Sequence, residues 1–257
     1  MLDRCPADLE RGTGMAEDTS FTTQLTRHEE ICEGTMAFHF AKPAGFEYRA
    51  GQSIDLTLLE PPETDAEGNT RAYTLASAPF DDDLMIATRM RDTAFKRVLR
   101  KAKPGMKVKM DGPFGSLTLH KNSAKPAVLV AGGIGITPFL SIVRQAEHDK
   151  APHPIYLFYS NRRPEDTAFL EMLLGSVERN PNFHLIATMT GMEKSLREWK
   201  GELGLISGEL LTSHLPSLQG PIYYLAGPPA MVAAMRQMLV KAGADEDDIR
   251  TEEFSGY

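Results

Sequence analysis

Only two cysteines, Cys5 and Cys32, occur among 257 residues. Two widely separated thiols cannot staple a fold, and such sparse use is what a reducing, cytoplasmic setting leads one to expect. They cannot build a plant-type iron–sulfur cluster either. No run of about 18 apolar residues occurs, so no membrane-spanning helix is available. The opening MLDRCPADLERGTGMAEDTS lacks the apolar centre of a secretion signal. Basic residues are outnumbered, 28 Lys and Arg against 35 Asp and Glu, for a net charge of −7. That argues against a nucleic-acid binder, which carries a basic surplus. There is no CxxC, no HExxH and no close histidine pair. His148 and His153 flank a proline-containing loop and read as surface residues, so no metal site is expected. A G-x-S-x-G elbow, a P-loop lysine and any internal repeat are missing too.

What remains is an ordinary globular composition, 42% hydrophobic and 25% charged, and a length that suggests two domains. Residues 1–18 have no periodicity and read as a disordered tail, with Met15 a candidate start. From Phe21 to about Leu119 short β-rich runs (FTTQLT, TMAFHFA, QSIDLTLL, RAYTLAS, LMIATRM, MKVKM, SLTL) alternate with breakers such as Pro61-Pro62 and Asp81-Asp82-Asp83. Such spacing predicts a sandwich or small barrel over 19–122. One helix interrupts it: Phe95, Val98, Leu99 and Ala102 form an apolar stripe, Asp92 or Thr93 can cap it, and Pro104-Gly105 ends it. Residues 89–109 hold nine basic side chains and one acid, Asp92. They are either a solvated face or a landing patch for an anionic partner.

After His120-Lys121-Asn122-Ser123 the texture changes. Ala127–Ala131 is a continuous apolar run, as for a strand buried on both faces. Strands at 155–159, 184–188, 222–225 and 249–254 then alternate with helices at 138–148, 165–174, 208–215 and 229–242. That pattern predicts a parallel sheet with crossover helices over 123–257, binding ligands at the carboxyl ends of its strands.

The chemistry is sought at those ends. Gly132-Gly133-Ile134-Gly135-Ile136-Thr137-Pro138 follows a buried strand and opens a helix. Its glycines let backbone N–H groups approach a pyrophosphate at the helix N-terminus, with Thr137 a plausible cap; the alternative is a tight βα turn. The second strand ends in Ser160-Asn161-Arg162-Arg163, with no acid before Glu165. Arginine there accommodates a 2′-phosphate, which favours NADPH over NADH, unless both arginines are solvated loop residues. Ala226-Gly227-Pro228-Pro229-Ala230-Met231 makes a second sharp strand-to-helix entry. In the first half, Arg71-Ala72-Tyr73-Thr74 puts Arg71 and Tyr73 on one strand face, suited to phosphate and to a ring system respectively. The capped helix start at Asp92-Thr93-Ala94 is a further candidate phosphate site.

Together these residues resemble the ferredoxin–NADP(+) reductase family over about Phe21–Tyr257. Its Arg-x-Tyr-Ser/Thr motif matches Arg71, Tyr73 and Thr74; its Gly-Gln pair matches Gly51-Gln52, and its Gly-Pro-x-Gly turn matches Gly112-Pro113-Phe114-Gly115. The Gly-Gly-x-Gly-x-Thr-Pro loop matches Gly132, Gly133, Gly135, Thr137 and Pro138. The Cys-Gly-Pro-Pro segment matches at Gly227, Pro228 and Pro229, with Ala226 in place of cysteine. The resemblance implies an antiparallel β-barrel flavin domain followed by an α/β parallel-sheet nucleotide-binding domain. It implies non-covalent FAD rather than FMN, held by Arg71, Ala72, Tyr73, Thr74, Thr88, Arg89, Thr93, Ala94, Phe95 and Lys96. Tyr73 would lie along the ring and Thr74 near its N5, with Glu253 assisting in catalysis and either Phe254 or Tyr257 as the stacked aromatic. The nicotinamide nucleotide would bind Gly132, Gly133, Gly135, Thr137, Pro138, Ser160, Arg162, Arg163, Gly227, Pro228, Pro229 and Met231. Ala226 removes a thiol that relatives place by the nicotinamide, which implies slower hydride transfer or a roomier pocket. The implied activity is hydride transfer from NAD(P)H to FAD, then single electrons to a separate acceptor. A small acidic carrier such as ferredoxin or flavodoxin would dock near 89–109. The alternatives are a reductase subunit of a multicomponent oxygenase and a nucleotide-binding module without turnover.

Overall fold

A computed structural model describes residues 20–254; the expected tail at 1–18, Cys5 and Tyr257 lie outside them. Six strands come first: β1 (Ser20–Cys32), β2 (Thr35–Ala41), β3 (Ser53–Leu58), β4 (Thr70–Thr74), β5 (Asp83–Arg89) and β6 (Lys107–Phe114). They pair antiparallel in the order β4-β3-β6-β1-β2-β5. The sheet rolls up, because just past β4 the Ala76 N–H donates to Met85 O of β5 at 2.7 Å. Alternation decides what lies inside. In β3 Ile54, Leu56 and Leu58 are buried while their neighbours are half-exposed. With Leu25, Phe38, Phe40, Leu84, Ile86, Val108 and Met110 they form the barrel core. Helix α1 (Ala94–Lys101) closes one end with Phe95, Val98 and Leu99, and Thr93 caps it by accepting from Lys96 N–H.

The expected strand at SLTL is instead an irregular linker between β6 and the second sheet. Its backbone is taken up elsewhere: Leu117 O presses on Gly51, where an added Cβ would lie 2.1 Å away. Gly51 also holds φ +95°, so both the close approach and the left-handed backbone demand glycine there.

The second half contains β7 (Ala127–Gly132), α2 (Thr137–His148), β8 (Ile155–Asn161), α3 (Leu170–Arg179), β9 (Phe183–Met189), β10 (Glu202–Leu203), α4 (Gly208–His214), β11 (Ile222–Gly227), α5 (Pro229–Lys241) and β12 (Ile249–Glu253). The strands are parallel in the order β10-β9-β8-β7-β11-β12. β7 and β11 are buried along their whole length, as their apolar runs require.

Two local expectations change. The helix expected over 165–174 starts later, at Leu170. A 3-10 turn at Pro164–Asp166 comes first, and Phe169 at φ 61° breaks the path between them. Thr137 is not the cap of α2. A 3-10 turn over Gly133–Ile136 leads into the helix, so Thr137 is already helical and its hydroxyl donates back to Ile134 O at 3.2 Å.

The halves share one core. Ala37, Ala76, Met85 and Ala87 of the barrel pack with Ile136, Phe139, Leu140, Ile142 and Val143 of the second domain. Polar contacts reinforce it: Ser141 Oγ donates to Ser77 O (2.6 Å), Arg144 binds both oxygens of Asp81, and Arg250 donates to Thr118 O (2.8 Å). The carboxyl ends of β7 and β11 are thereby held against the open side of β4 and β5.

Candidate functional site

A cavity of about 480 Å³ lies at that seam. The barrel supplies Arg71, Ala72, Tyr73, Thr74, Thr88, Arg89, Thr93 and Lys96, and the second domain supplies Ile134, Thr137 and Phe254. Four cations, Arg71, Arg89, Arg91 and Lys96, face a single acid, Glu67, across it. The Tyr73 hydroxyl is buried and makes no hydrogen bond. Burial pushes its pKa well above the ordinary phenol range, with the Thr88 and Arg71 side chains acting the other way. A buried donor without a partner is destabilising, and a ligand that accepts from it removes the penalty. A planar polar ring joined to a diphosphate fits this combination of orphan phenol, apolar wall and cationic rim. Ala94 and Phe95 stand behind the wall: both are buried, and the Phe95 ring packs 6.1 Å from Tyr73 with the Arg71 guanidinium 5.2 Å above it. Lys96 is held over the cavity by Arg89 O at 2.7 Å, and burial lowers its basicity.

The loop between β3 and β4 answers this positive charge. Arg71 donates to Glu67 Oε2 (2.8 Å) and Asp65 Oδ1 (3.4 Å), and Asp65 Oδ2 accepts the Ala94 N–H at the start of α1 (3.0 Å). The two elements expected to take a phosphate, Arg71 and the α1 N-terminus, thus hold carboxylates.

Thr74 is buried and donates to Glu252 Oε1 at 2.8 Å. Burial raises the Glu252 carboxyl above its ordinary value, the Thr74 bond opposing in part. Glu253, the acid expected at the site, is exposed. The reason is the two-residue period of β12: Arg250, Glu252 and Phe254 share the face toward the barrel, while Thr251 and Glu253 point outward. Phe254 lines the cavity, its N–H donating to Gly227 O at 3.0 Å. The signal for Glu252 was its place two residues before that aromatic. Glu252 also lines a second cavity of about 420 Å³, with Ser53, Gly115, Ser116 and Arg250. The Thr74–Glu252 pair therefore connects the two spaces.

On the second domain's side the two glycine turns meet. An added Cβ on Gly135 would lie 2.3 Å from Ala226 O, and one on Gly132 would lie 2.6 Å from Met231 Sδ. Gly227, at φ +153°, and Pro228 pack into the same contact. Ala226 is fully buried, so no water-sized space opens beside it in place of a thiol. Ser160 pairs beside Gly132 at the end of β8. Asn161, unmarked in the sequence, is buried there with Nδ2 unpartnered. Arg162 is exposed, and its side chain makes no hydrogen bond or ion pair among the described residues. Arg163 instead binds Asp166 and Glu33. A larger cavity of about 820 Å³ lies between β1 and the 164–172 segment. Its lining includes Glu29, Glu30, Glu33, Asp81, Asp83, Glu165 and Glu171, a poor setting for a polyanionic nucleotide.

Residues 129–237 match the family described as the oxidoreductase NAD-binding domain. The chain is 25% identical over 239 residues to the propane 2-monooxygenase reductase component of Rhodococcus jostii, covering 91% of this chain and 63% of that protein. It is 29% identical over 252 residues to the ferredoxin–NAD(P)(+) reductase component of the naphthalene 1,2-dioxygenase/salicylate 5-hydroxylase systems of Ralstonia sp., covering 97% and 70%. It therefore spans less than two thirds of the first of these relatives. Among solved structures, the ferredoxin NADP+ reductase of Neisseria gonorrhoeae with bound FAD and NADP superposes at TM-score 0.76, with 22% identity over 92% of this chain and 99% of that one. The Amycolatopsis cytochrome P450 reductase superposes at 0.78, with 22% identity over 91% and 69%. Fold and site define a two-domain protein in which an antiparallel barrel faces a parallel sheet that matches an oxidoreductase NAD-binding domain. The fold is the one seen in solved ferredoxin–NADP+ reductase-type structures, and its second half carries the oxidoreductase NAD-binding domain.

Proposed function

We propose that this chain is an NAD(P)H-dependent flavoprotein reductase that delivers electrons singly to a separate iron–sulfur or flavin carrier. The observation that carries this reading is the single cavity walled by Arg71, Tyr73 and Thr74 on one side and by Ile134 and Thr137 of the glycine loop on the other. Flavin, when bound, supplies the chemistry by which a hydride taken from nicotinamide leaves as two single electrons. The residues bind and orient. Tyr73 gives its free hydroxyl, Phe254 a ring wall, and Arg71, Arg89, Arg91 and Lys96 the charge for a diphosphate, which favours FAD over FMN. Gly132, Gly133 and Gly135 bring backbone N–H groups to the nucleotide, opposite Gly227, Pro228 and Met231. Thr74 and Glu252 handle the proton. With the Glu252 carboxyl raised, Oε1 can hold a proton received from the outer cavity and pass it through the Thr74 hydroxyl to the inner one.

Ser160 and Arg162 support NADPH over NADH. Arg100, Lys101, Lys103 and Lys107 stay exposed on and beyond α1, whereas Arg97 is paired with Glu63 and Asp92. They support docking of an acidic carrier. The relatives named as oxygenase reductase components support an oxygenase system as the consumer of the electrons. Nucleotide use and the half-buried free Cys32 accord with a cytoplasmic setting. In the described residues no helix is long and apolar enough to cross a membrane.

The test is the visible spectrum of the purified chain, followed by anaerobic titration with NADH and NADPH separately. A yellow protein bleached by either, with carrier reduction that slows as salt rises, is the expected result. A colourless chain that takes up no flavin would return the reading to a module without turnover.

A further inference from the structure

Arg163 follows Ser160 and Arg162 at the carboxyl end of β8, yet its guanidinium is already engaged. Nε and Nη2 donate to the two oxygens of Asp166 at 2.9 and 2.8 Å. Nη2 also donates to Glu33 Oε2 at 2.9 Å, and Nη1 to Lys194 O at 3.4 Å. Glu33 belongs to the tip of the β1–β2 hairpin, on the barrel. Its own N–H donates to Glu165 O at 2.9 Å, and the neighbouring Cys32 Sγ lies 3.4 Å from Asp166 O. Glu165 in turn accepts from Leu196 N–H (2.8 Å) and Ser195 Oγ (3.0 Å), tying in the loop that follows β9. Three loops are clasped: the barrel hairpin, the β8–α3 turn and the β9–β10 segment.

The charge count at the clasp is unfavourable to phosphate. One guanidinium faces two carboxylates at hydrogen-bond distance, so the group is net negative toward a neighbouring anion. Arg89 approaches Asp166 only to 4.0 Å and belongs to the flavin-side cavity. Arg162, the adjacent residue, is exposed and unpaired among the described residues.

We propose that Glu33, reaching across from the barrel, is a specificity-determining residue for the nucleotide. With Asp166 it neutralises Arg163 and leaves Arg162 as the cation that meets a 2′-phosphate. Discrimination between phosphorylated and unphosphorylated nucleotides then rests on one arginine, and the barrel sets its strength. This rests on the reading above that a pyridine nucleotide binds along 132–138 and 160–163. Glu33 is a positioning residue, since it acts through Arg163 and touches no ligand itself.

The experiment is calorimetric titration of the full chain with 2′,5′-ADP and with 5′-AMP, half-nucleotides that need neither flavin nor turnover. The readout is the ratio of the two affinities. In Arg162→Gln the ratio collapses toward one. In Arg163→Gln it falls, by less than in Arg162→Gln, because Glu33 and Asp166 lose the cation that offsets them. In Glu33→Gln it rises roughly two- to five-fold, the scale of a partly exposed charge contact, with the 5′-AMP affinity unchanged. A ratio in Glu33→Gln equal to that of the unaltered chain overturns the proposal. So does a loss in Arg163→Gln as large as that in Arg162→Gln. If Arg163→Gln melts early because the clasp is broken, Glu33→Gln decides alone. Failure of the unaltered chain to bind either half-nucleotide would remove the nucleotide site itself, an outcome distinct from an unchanged ratio in a chain that binds both.

Discussion

Tyr73 and Glu252 each carry a polar group that the protein alone leaves badly served. The Tyr73 hydroxyl is buried without a partner, so Tyr73→Phe should leave the flavin-free chain at least as stable while weakening flavin binding about five-fold, one hydrogen bond's worth. Quenching of flavin fluorescence measures the affinity and a thermal melt the stability; equal affinity in both proteins would show that the hydroxyl meets no ligand. Glu252 is a pH question. A carboxyl raised above its ordinary 4.5 binds its proton more tightly folded than unfolded. Its contribution is therefore most favourable below pH 4.5 and declines as pH climbs from there through the raised value. Glu252→Gln should flatten that part of the pH profile of the melting temperature, and parallel profiles for the two proteins would contradict the assignment.

At the scale of elements, the β3–β4 loop is the informative piece. Asp65 and Glu67 sit on Arg71 and on the first turn of α1, where a diphosphate is expected. A dinucleotide must compete with them. Asp65→Asn combined with Glu67→Gln should tighten FAD binding several-fold, and tighten a flavin lacking the diphosphate far less. Comparison of FAD with riboflavin by equilibrium dialysis checks this, and equal gains for both would assign the loop another role. The same scale explains what the sequence showed and hid. Period-two and period-3.6 patterns are local, so β3, β7, α1 and α5 were legible from a few residues each. The late start of α3 was not, because Phe169 adopts a left-handed backbone in a segment whose preceding turn bonds to the barrel hairpin. Glu252 against Glu253 was a matter of phase: adjacent acids differ only in which face of β12 each occupies, and packing of Arg250 on Tyr224 settles it at 5.2 Å.

For the whole molecule, the proposed hydride transfer requires the two halves to keep a fixed spacing. The ion pair of Arg144 on α2 with Asp81 of the barrel is largely shielded from solvent, with Asp81 also accepting from Ala78 N–H at 2.8 Å. Asp81→Asn should lower stability by about 2 kcal/mol, because it strands a half-buried guanidinium. Urea unfolding with an unchanged slope and a lower midpoint would show this; an unshifted midpoint would mean that the apolar seam alone holds the domains together.

The sequence by itself determined the two-domain order, the glycine-rich turns that follow β7 and β11, and the Arg71-Ala72-Tyr73-Thr74 wall. All of these are written in spacing along a single segment. Only the tertiary structure decided that Arg163 serves Asp166 and Glu33 rather than solvent, that Glu252 rather than Glu253 reaches Thr74, and that carboxylates of the β3–β4 loop hold the phosphate-type positions. Those outcomes are pairings of charge and hydrogen bond between segments far apart in the chain. Local periodicity carries no information about them, because the partner is chosen by how the sheets pack.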